Sequence, residues 1–206
     1  MTSSYWLSEE RPDFPDRASR PAGPVDVAIV GGGVTGCACA LTLAEAGLRV
    51  RLFEARRVAW GASGRNGGFA LRGLAISYPE ARERFGSAAP ELWRFTERSL
   101  DRMEELAGDE FRRVGSLRLA EDEELDALRA EYEALREDGI SADWVDELSA
   151  PLDATFRGAI LHPGDGSLQP ARWVRRLAGR AVAAGAEIVE ERRVESLDDE
   201  IGRAHV

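Results

Sequence analysis

Val25-Asp-Val-Ala-Ile-Val-Gly-Gly-Gly-Val-Thr-Gly36, continued by a small-residue run to Ala46 and by Arg49-Val-Arg-Leu-Phe-Glu54, is the stretch that decides the fold. Residues 25–30 form a short β-branched run of strand type. The run breaks at Gly31, Gly33 and Gly36, spaced as G-x-G-x-x-G at a strand-to-helix turn. Gly31 permits the tight turn, Gly33 lets backbone approach a pyrophosphate without a Cβ in the way, and Gly36 lets the helix lie close on the strand. The helix expected over residues 34–46 begins with Val34 and Thr35, and it points free N–H groups and its positive dipole end at phosphates. Gly47 stops it. A second strand over residues 49–53 then ends in Glu54, about twenty residues past the glycines, where a carboxylate accepts both hydroxyls of an adenosine ribose. Strand, glycines, helix, glycine stop, strand and acid in this order predict a βαβ unit that binds a dinucleotide.

Composition narrows the alternatives. A chain of 206 residues can bury a real core. Its formal charge of −10 and pI near 4.9 argue against nucleic acid or an anionic membrane as main partner, since both repel such a surface. No apolar run approaches the ~20 residues of a membrane span, and the N-terminus lacks a basic-then-apolar leader, so a cytoplasmic protein is expected. Cys37 and Cys39 sit two apart on one helix and face different ways, which excludes a mutual disulfide and speaks against a metal pair. No zinc pattern, Ser-His-Asp set, Walker loop or internal repeat is present. All 27 basic residues are arginine, so no lysine can form a Schiff base or act as general base.

Residues 1–24, with Pro12, Pro15, Pro21 and Pro24 among charges, read as an irregular arm that Tyr5, Trp6 and Phe14 could anchor. After Glu54, five glycines (Gly61, Gly64, Gly67, Gly68, Gly73) crowd residues 61–75, against an average usage of about seven per cent. Backbone is expected to come close to something there. Apolar spacing predicts helices over 90–107, 121–138 and 170–184, the last opened by Pro170 with Arg172, Arg175, Arg176 and Arg180 largely on a solvated face. Strands are expected over 111–120, 156–161 and 186–197, with a short helical turn at 146–150. His162, in a Pro/Gly loop without an evident partner, reads as structural.

At Gly61-Ala-Ser-Gly-Arg-Asn-Gly-Gly68, following the fingerprint and Glu54, the chain resembles FAD-dependent oxidoreductases of the D-amino acid oxidase type, in their γ-glutamylputrescine oxidase and glycine/sarcosine oxidase branch. Ser4-Tyr-Trp-Leu7, residues 114–120 and Gly166-Ser-Leu-Gln-Pro170 extend the likeness. The resemblance implies an α/β fold, a Rossmann-like FAD-binding domain interrupted by a substrate-domain segment of mixed strands and helices. It implies FAD pyrophosphate over Gly31, Gly33, Val34, Thr35 and Gly36, and ribose on Glu54. Ala62, Ser63, Arg65, Asn66, Gly67 and Gly68 would run beside pyrophosphate and flavin ring, and Val194 beside the adenine. It further implies hydride transfer from an amine-bearing carbon to flavin N5, imine hydrolysis, and reoxidation by oxygen or another acceptor. No His or Cys lies between Arg56 and Leu74 to attach a flavin covalently, and no lysine can sit beside it.

The expected organisation is an arm (1–24), a first FAD-domain part (25–89), a substrate-domain segment (90–165), a return to the FAD domain (166–200) and a non-native tail (201–206). That tail, Ile201-Gly-Arg-Ala-His-Val206, reads as translated sequencing adapter, with the natural sequence expected to end at or before Glu200. Family members run further, so the sequence reads as their truncated N-terminal portion, inactive by itself. Its partner would be a small amine or amino acid, with catalytic residues outside these 206. The alternatives are a non-catalytic nucleotide-binding fragment and an NAD-type Rossmann dehydrogenase. The Gly-Arg-Asn-Gly-Gly loop disfavours the dehydrogenase, in which strand and helix would normally repeat after the acid.

Overall fold

The computed structural model describes residues 4–8, 23–198 and 203–205. In chain order its elements are β1 (Val27–Val30), α1 (Val34–Glu45), β2 (Val50–Phe53), β3 (Phe69–Ala70), α2 (Tyr78–Phe85), α3 (Ala89–Ala107), β4 (Phe111–Arg112) and β5 (Ser116–Ala120). There follow α4 (Leu125–Glu137), β6 (Asp143–Val145), β7 (Gly158–His162), β8 (Gly166–Leu168), α5 (Pro170–Ala183), β9 (Glu187–Val189), β10 (Ser196–Asp198) and β11 (Arg203–His205). The chain divides into two compact units, Met1–Gly68 with Gln169–Val206, and Phe69–Leu168. Sequence alone put the corresponding boundaries at 89/90 and 165/166. Pairing of β3 with β8, Phe69 opposite Ser167, draws the earlier segment into the second unit.

In the first unit β1, β2 and β9 form a parallel sheet in that order, with Val30 opposite Phe53 and Phe53 opposite Val189. β2 is central and buried at all four positions, as a parallel strand covered on both sides must be. Its one charge, Arg51, is paired with Glu187 at 2.8 Å and also donates to the Gly23 carbonyl at 3.2 Å. α1 packs on α5. Cys37, Ala40 and Ala44 on one helix and Ala171, Ala178 and Ala181 on the other are all buried, and their small side chains allow close approach. Gln169 caps α5 by accepting from the Arg172 N–H at 2.7 Å, while its Nε2 donates to the Trp6 carbonyl at 2.9 Å. That contact anchors the Tyr5–Leu7 turn, although Tyr5 itself is exposed; Phe14 lies outside the described residues.

The second unit holds two antiparallel sheets, β3-β8-β4 and β5-β7-β6. Its core gathers Tyr78, Trp93, Ala120, Leu128, Leu135 and Ile160. The Tyr78 and Trp93 rings meet edge to face at 4.8 Å, a geometry that adds about 0.5–1.5 kcal/mol to their burial.

Several expected elements differ. The strand expected over 111–120 is two strands in different sheets, because Gly115 turns the chain at φ +75° and its N–H bonds the Asp165 carbonyl. α2 was not anticipated; its start is marked by Ser77, whose Oγ accepts from the Glu80 N–H, and by Pro79. The helical turn expected at 146–150 is absent: residues 146–149 are irregular, and the strand just before them, β6, sets Trp144 opposite Ile160. Arg175, assigned to a solvated face, is 5% exposed, since the buried stripe of α5 runs Ala171, Val174, Arg175, Ala178. The strand expected over 186–197 stops at Val189 and resumes at Ser196, broken where Glu191 adopts φ +56°. In the segment expected to be non-native, Arg203–His205 pairs antiparallel with Ser196–Asp198.

Candidate dinucleotide-binding site

The site is built from the ends of β1 and β2 and the start of α1, within the first unit. Gly31 leaves β1 at φ +105°, a conformation that favours glycine, with its N–H held by the Phe53 carbonyl at 2.8 Å. A Cβ on Gly36 would lie 2.0 Å from the Gly31 carbonyl oxygen, which accounts for glycine where helix meets strand. A Cβ on Gly33 would lie 3.0 Å from Ser63 Oγ and occupy the space over the turn. Gly33 is also the N-cap of α1 and brings no side chain to it, and the first helical turn carries no acid. The first turn of α1 thus carries no anion of its own, and its dipole end suits a pyrophosphate.

Glu54 sits half-buried at the end of β2. Its Oε2 accepts from the Gly32 N–H at 2.7 Å and its Oε1 from the Arg56 N–H at 2.8 Å. A carboxylate offers about four lone-pair directions, so both oxygens can still take ribose hydroxyls while bracing the glycine turn. Ser63, in the turn Ala62–Gly64, accepts the Val34 N–H through Oγ at 3.1 Å. The fingerprint, the ribose acid and the second glycine loop therefore meet by hydrogen bonds.

The remaining sequence-assigned residues divide. Asn66 holds its own loop, donating to the Ala62 and Ser63 carbonyls and accepting from the Gly68 N–H. Arg65 folds back, its Nε donating to the Trp60 carbonyl at 2.7 Å with the guanidinium 5.1 Å from the Trp60 ring centre. Thr35 and Gly67 are exposed, and Gly68 is buried with φ +72°. Val194 is half-buried beyond a strap in which the Glu191 and Arg192 N–H groups bond the Arg56 and Glu54 carbonyls. Sequence reasoning passed over Val58, Ala59 and Glu190. Val58 donates its N–H to Glu190 Oε1 at 2.6 Å, and Ala59, 1% exposed at φ +68°, donates to the Gly32 carbonyl at 3.0 Å. A positive φ at alanine has no sequence signature, and Glu190 reads as one more acid among charges.

The thiol of Cys37 is buried on α1 and pushed up to about 12 by burial, so it stays protonated and inert, while Cys39 is exposed. The second unit carries a buried polar cluster. Arg72 donates its N–H to Asp165 Oδ1 at 3.0 Å, pairs with Glu97 at 2.5 Å, and donates through Nη2 to the Ser141 carbonyl and to His162 Nδ1. Burial, then the Arg72 charge, holds His162 down at about 4, so its ring is neutral near pH 7. The cluster borders a cavity of about 400 Å³ walled by Leu71, Leu74, Ile76 and Trp93. Among the described residues no three His, Cys, Asp or Glu side chains gather as a metal site, and no helix is long and apolar enough to cross a membrane.

Residues 26–206 match the family described as FAD dependent oxidoreductase (DAO), and the chain belongs to that family, which binds FAD. It is 27% identical over 214 residues to the probable oxidoreductase OrdL of Haemophilus influenzae, covering 98% of this chain and 50% of that protein. Over 67 residues, 32% of this chain and 16% of the relative, it is 48% identical to gamma-glutamylputrescine oxidoreductase of Escherichia coli. The crystal structure of glycine oxidase from Geobacillus kaustophilus aligns with a TM-score of 0.67 at 29% identity, covering 85% of this chain and 49% of that one. The chain thus spans about half the length of the Haemophilus protein and of the glycine oxidase. The acid-free first turn of α1, the backbone bare of a Cβ at Gly33 and the placement of Glu54 fit the pyrophosphate and ribose of FAD.

Proposed function

We propose that this chain is the cofactor-binding portion of an FAD-dependent enzyme that oxidises a C–N bond of an amine or amino acid. One observation carries the reading: Val34 N–H, Ser63 Oγ, Gly32 N–H and Glu54 Oε2 lie in two adjoining hydrogen bonds, joining the fingerprint to the ribose acid and the second glycine loop. In this reading Gly31, Gly33, Val34, Thr35 and Gly36 hold the pyrophosphate. Glu54 orients the ribose, residues 62–68 form a floor beside the pyrophosphate and ring, and Val194 packs by the adenine. FAD held there would supply the hydride acceptor for the carbon bearing nitrogen, with the imine so formed hydrolysed by water and the electrons passed on to oxygen or another acceptor.

The names of the relatives, a gamma-glutamylputrescine oxidoreductase and a glycine oxidase, support the substrate class. Because about half the length of the Haemophilus protein and of the glycine oxidase has no counterpart in these residues, we infer that the chain binds cofactor but does not turn over alone. The test is anaerobic addition of amines, amino acids or NADH to FAD-loaded protein carrying the relatives' full span. Bleaching of oxidised-flavin absorbance by an amine or amino acid supports the reading, and bleaching by NADH alone overturns it. Bleaching of the 206-residue chain by an amine would overturn only its inferred inactivity.

A further inference from the structure

Val58 is 3% exposed, so its N–H needs a partner inside the protein. The partner is the Glu190 carboxylate, at 2.6 Å. Glu190 follows directly on β9, whose last carbonyl, that of Val189, accepts the Glu54 N–H at 2.9 Å. The two residues after it bond back to the Arg56 and Glu54 carbonyls at 2.8 and 2.9 Å. The carboxylate is therefore delivered from a base fixed on both sides. Next to Val58, Ala59 is held at φ +68°, where alanine rarely settles unless its surroundings impose it. In that conformation its N–H reaches the Gly32 carbonyl at 3.0 Å, and its own carbonyl comes so near Gly64 that a Cβ there would lie 2.0 Å away. Gly64 closes the turn that carries Ser63 to the Val34 N–H.

We propose that Glu190 is a positioning residue of the dinucleotide site: its carboxylate fixes residues 55–60 and, through Ala59, sets the glycine turn and the Ser63 loop before the cofactor arrives. This rests on the placement of the dinucleotide over Gly31 to Gly36. The role depends on reach more than on charge. Burial raises the Glu190 carboxyl above its usual value, against the Val58 hydrogen bond and the Arg57 charge, which lower it, with Glu191 and Glu54 adding to the rise. A neutral acceptor of the same length serves in its place, whereas a shorter acid does not.

The test compares Glu190→Ala, Glu190→Asp and Glu190→Gln by two readouts. Amide hydrogen exchange at Val58 and Ala59 in cofactor-free protein reports the clamp, and the FAD dissociation constant from flavin fluorescence reports its consequence. Glu190→Ala and Glu190→Asp are expected to speed exchange and weaken FAD by about tenfold, the size of one lost hydrogen bond. Glu190→Gln is expected to stay within about twofold of the parent on both, as an equal-length acceptor should. If the Ala variant does not fold, the Asp and Gln pair decides. Unchanged exchange in the Asp variant, or faster exchange with unchanged FAD affinity, overturns the proposal. Glu54→Ala separates the underlying placement: full FAD affinity there sinks the placement, while the exchange data still decide whether Glu190 holds the loop.

Discussion

Gly36 and Gly33 are both glycines of the fingerprint, yet they exclude a side chain for different reasons. At Gly36 the obstacle is backbone, the Gly31 carbonyl oxygen 2.0 Å from where a Cβ would sit. Gly36→Ala must separate helix from strand and is expected to destabilise the fold by about 3 kcal/mol or more, seen as a lowered denaturation midpoint. At Gly33 the obstacle is Ser63 Oγ at 3.0 Å, the end of a side chain that can rotate. Gly33→Ala is expected to melt within about 1 kcal/mol of the parent, the usual limit for a strain that local rotation relieves, and to lose FAD affinity. Equal melting of the two variants would contradict this assignment. The motif spacing in the sequence was enough to name both residues and Glu54. It could not say that Ser63 is the Val34 acceptor, or that Asn66 spends its amide on its own loop, because side-chain rotamers decide those roles.

Between elements, the most consequential contact in the second unit is the one that Arg72 makes with His162 at the end of β7, Glu97 on α3 and Asp165 ahead of β8. Folding lowers the His162 pKa from 6.5 to about 4, so the unfolded chain binds the extra proton first. The stability that depends on a neutral ring is therefore present above about pH 6.5 and lost as pH falls through about 4. The stability of the parent relative to His162→Gln, followed by denaturant unfolding across that window, is expected to decline on acidification, since other groups titrate alike in both. A difference independent of pH would contradict a buried neutral histidine. Helices with strong apolar stripes, α3, α4 and α5, were legible in the sequence to within a few residues. α2 and β6 were not. α2 is short and polar, started by a cap, and β6 exists only because β7 offers it an edge.

For the whole chain, the central event is non-local: β9 adds to β2 after more than a hundred intervening residues, with Phe53 opposite Val189. That pairing brings Glu190 and the strap before Val194 to Glu54. The α/β class and the interrupted first unit were readable from the glycine fingerprint and from the later resemblance. The register was not, because period-two patterns in three- and four-residue strands do not specify a partner. The claim that these residues assemble one FAD site is tested most directly by titrating the purified 206-residue chain with FAD and following flavin absorbance and fluorescence, beside Glu54→Ala. The account predicts saturable binding with a perturbed flavin spectrum, weakened about tenfold or more when the ribose acid is removed, as for a lost pair of charge-assisted hydrogen bonds. A flavin spectrum that stays that of the free cofactor throughout, or one equally perturbed without Glu54, would contradict it.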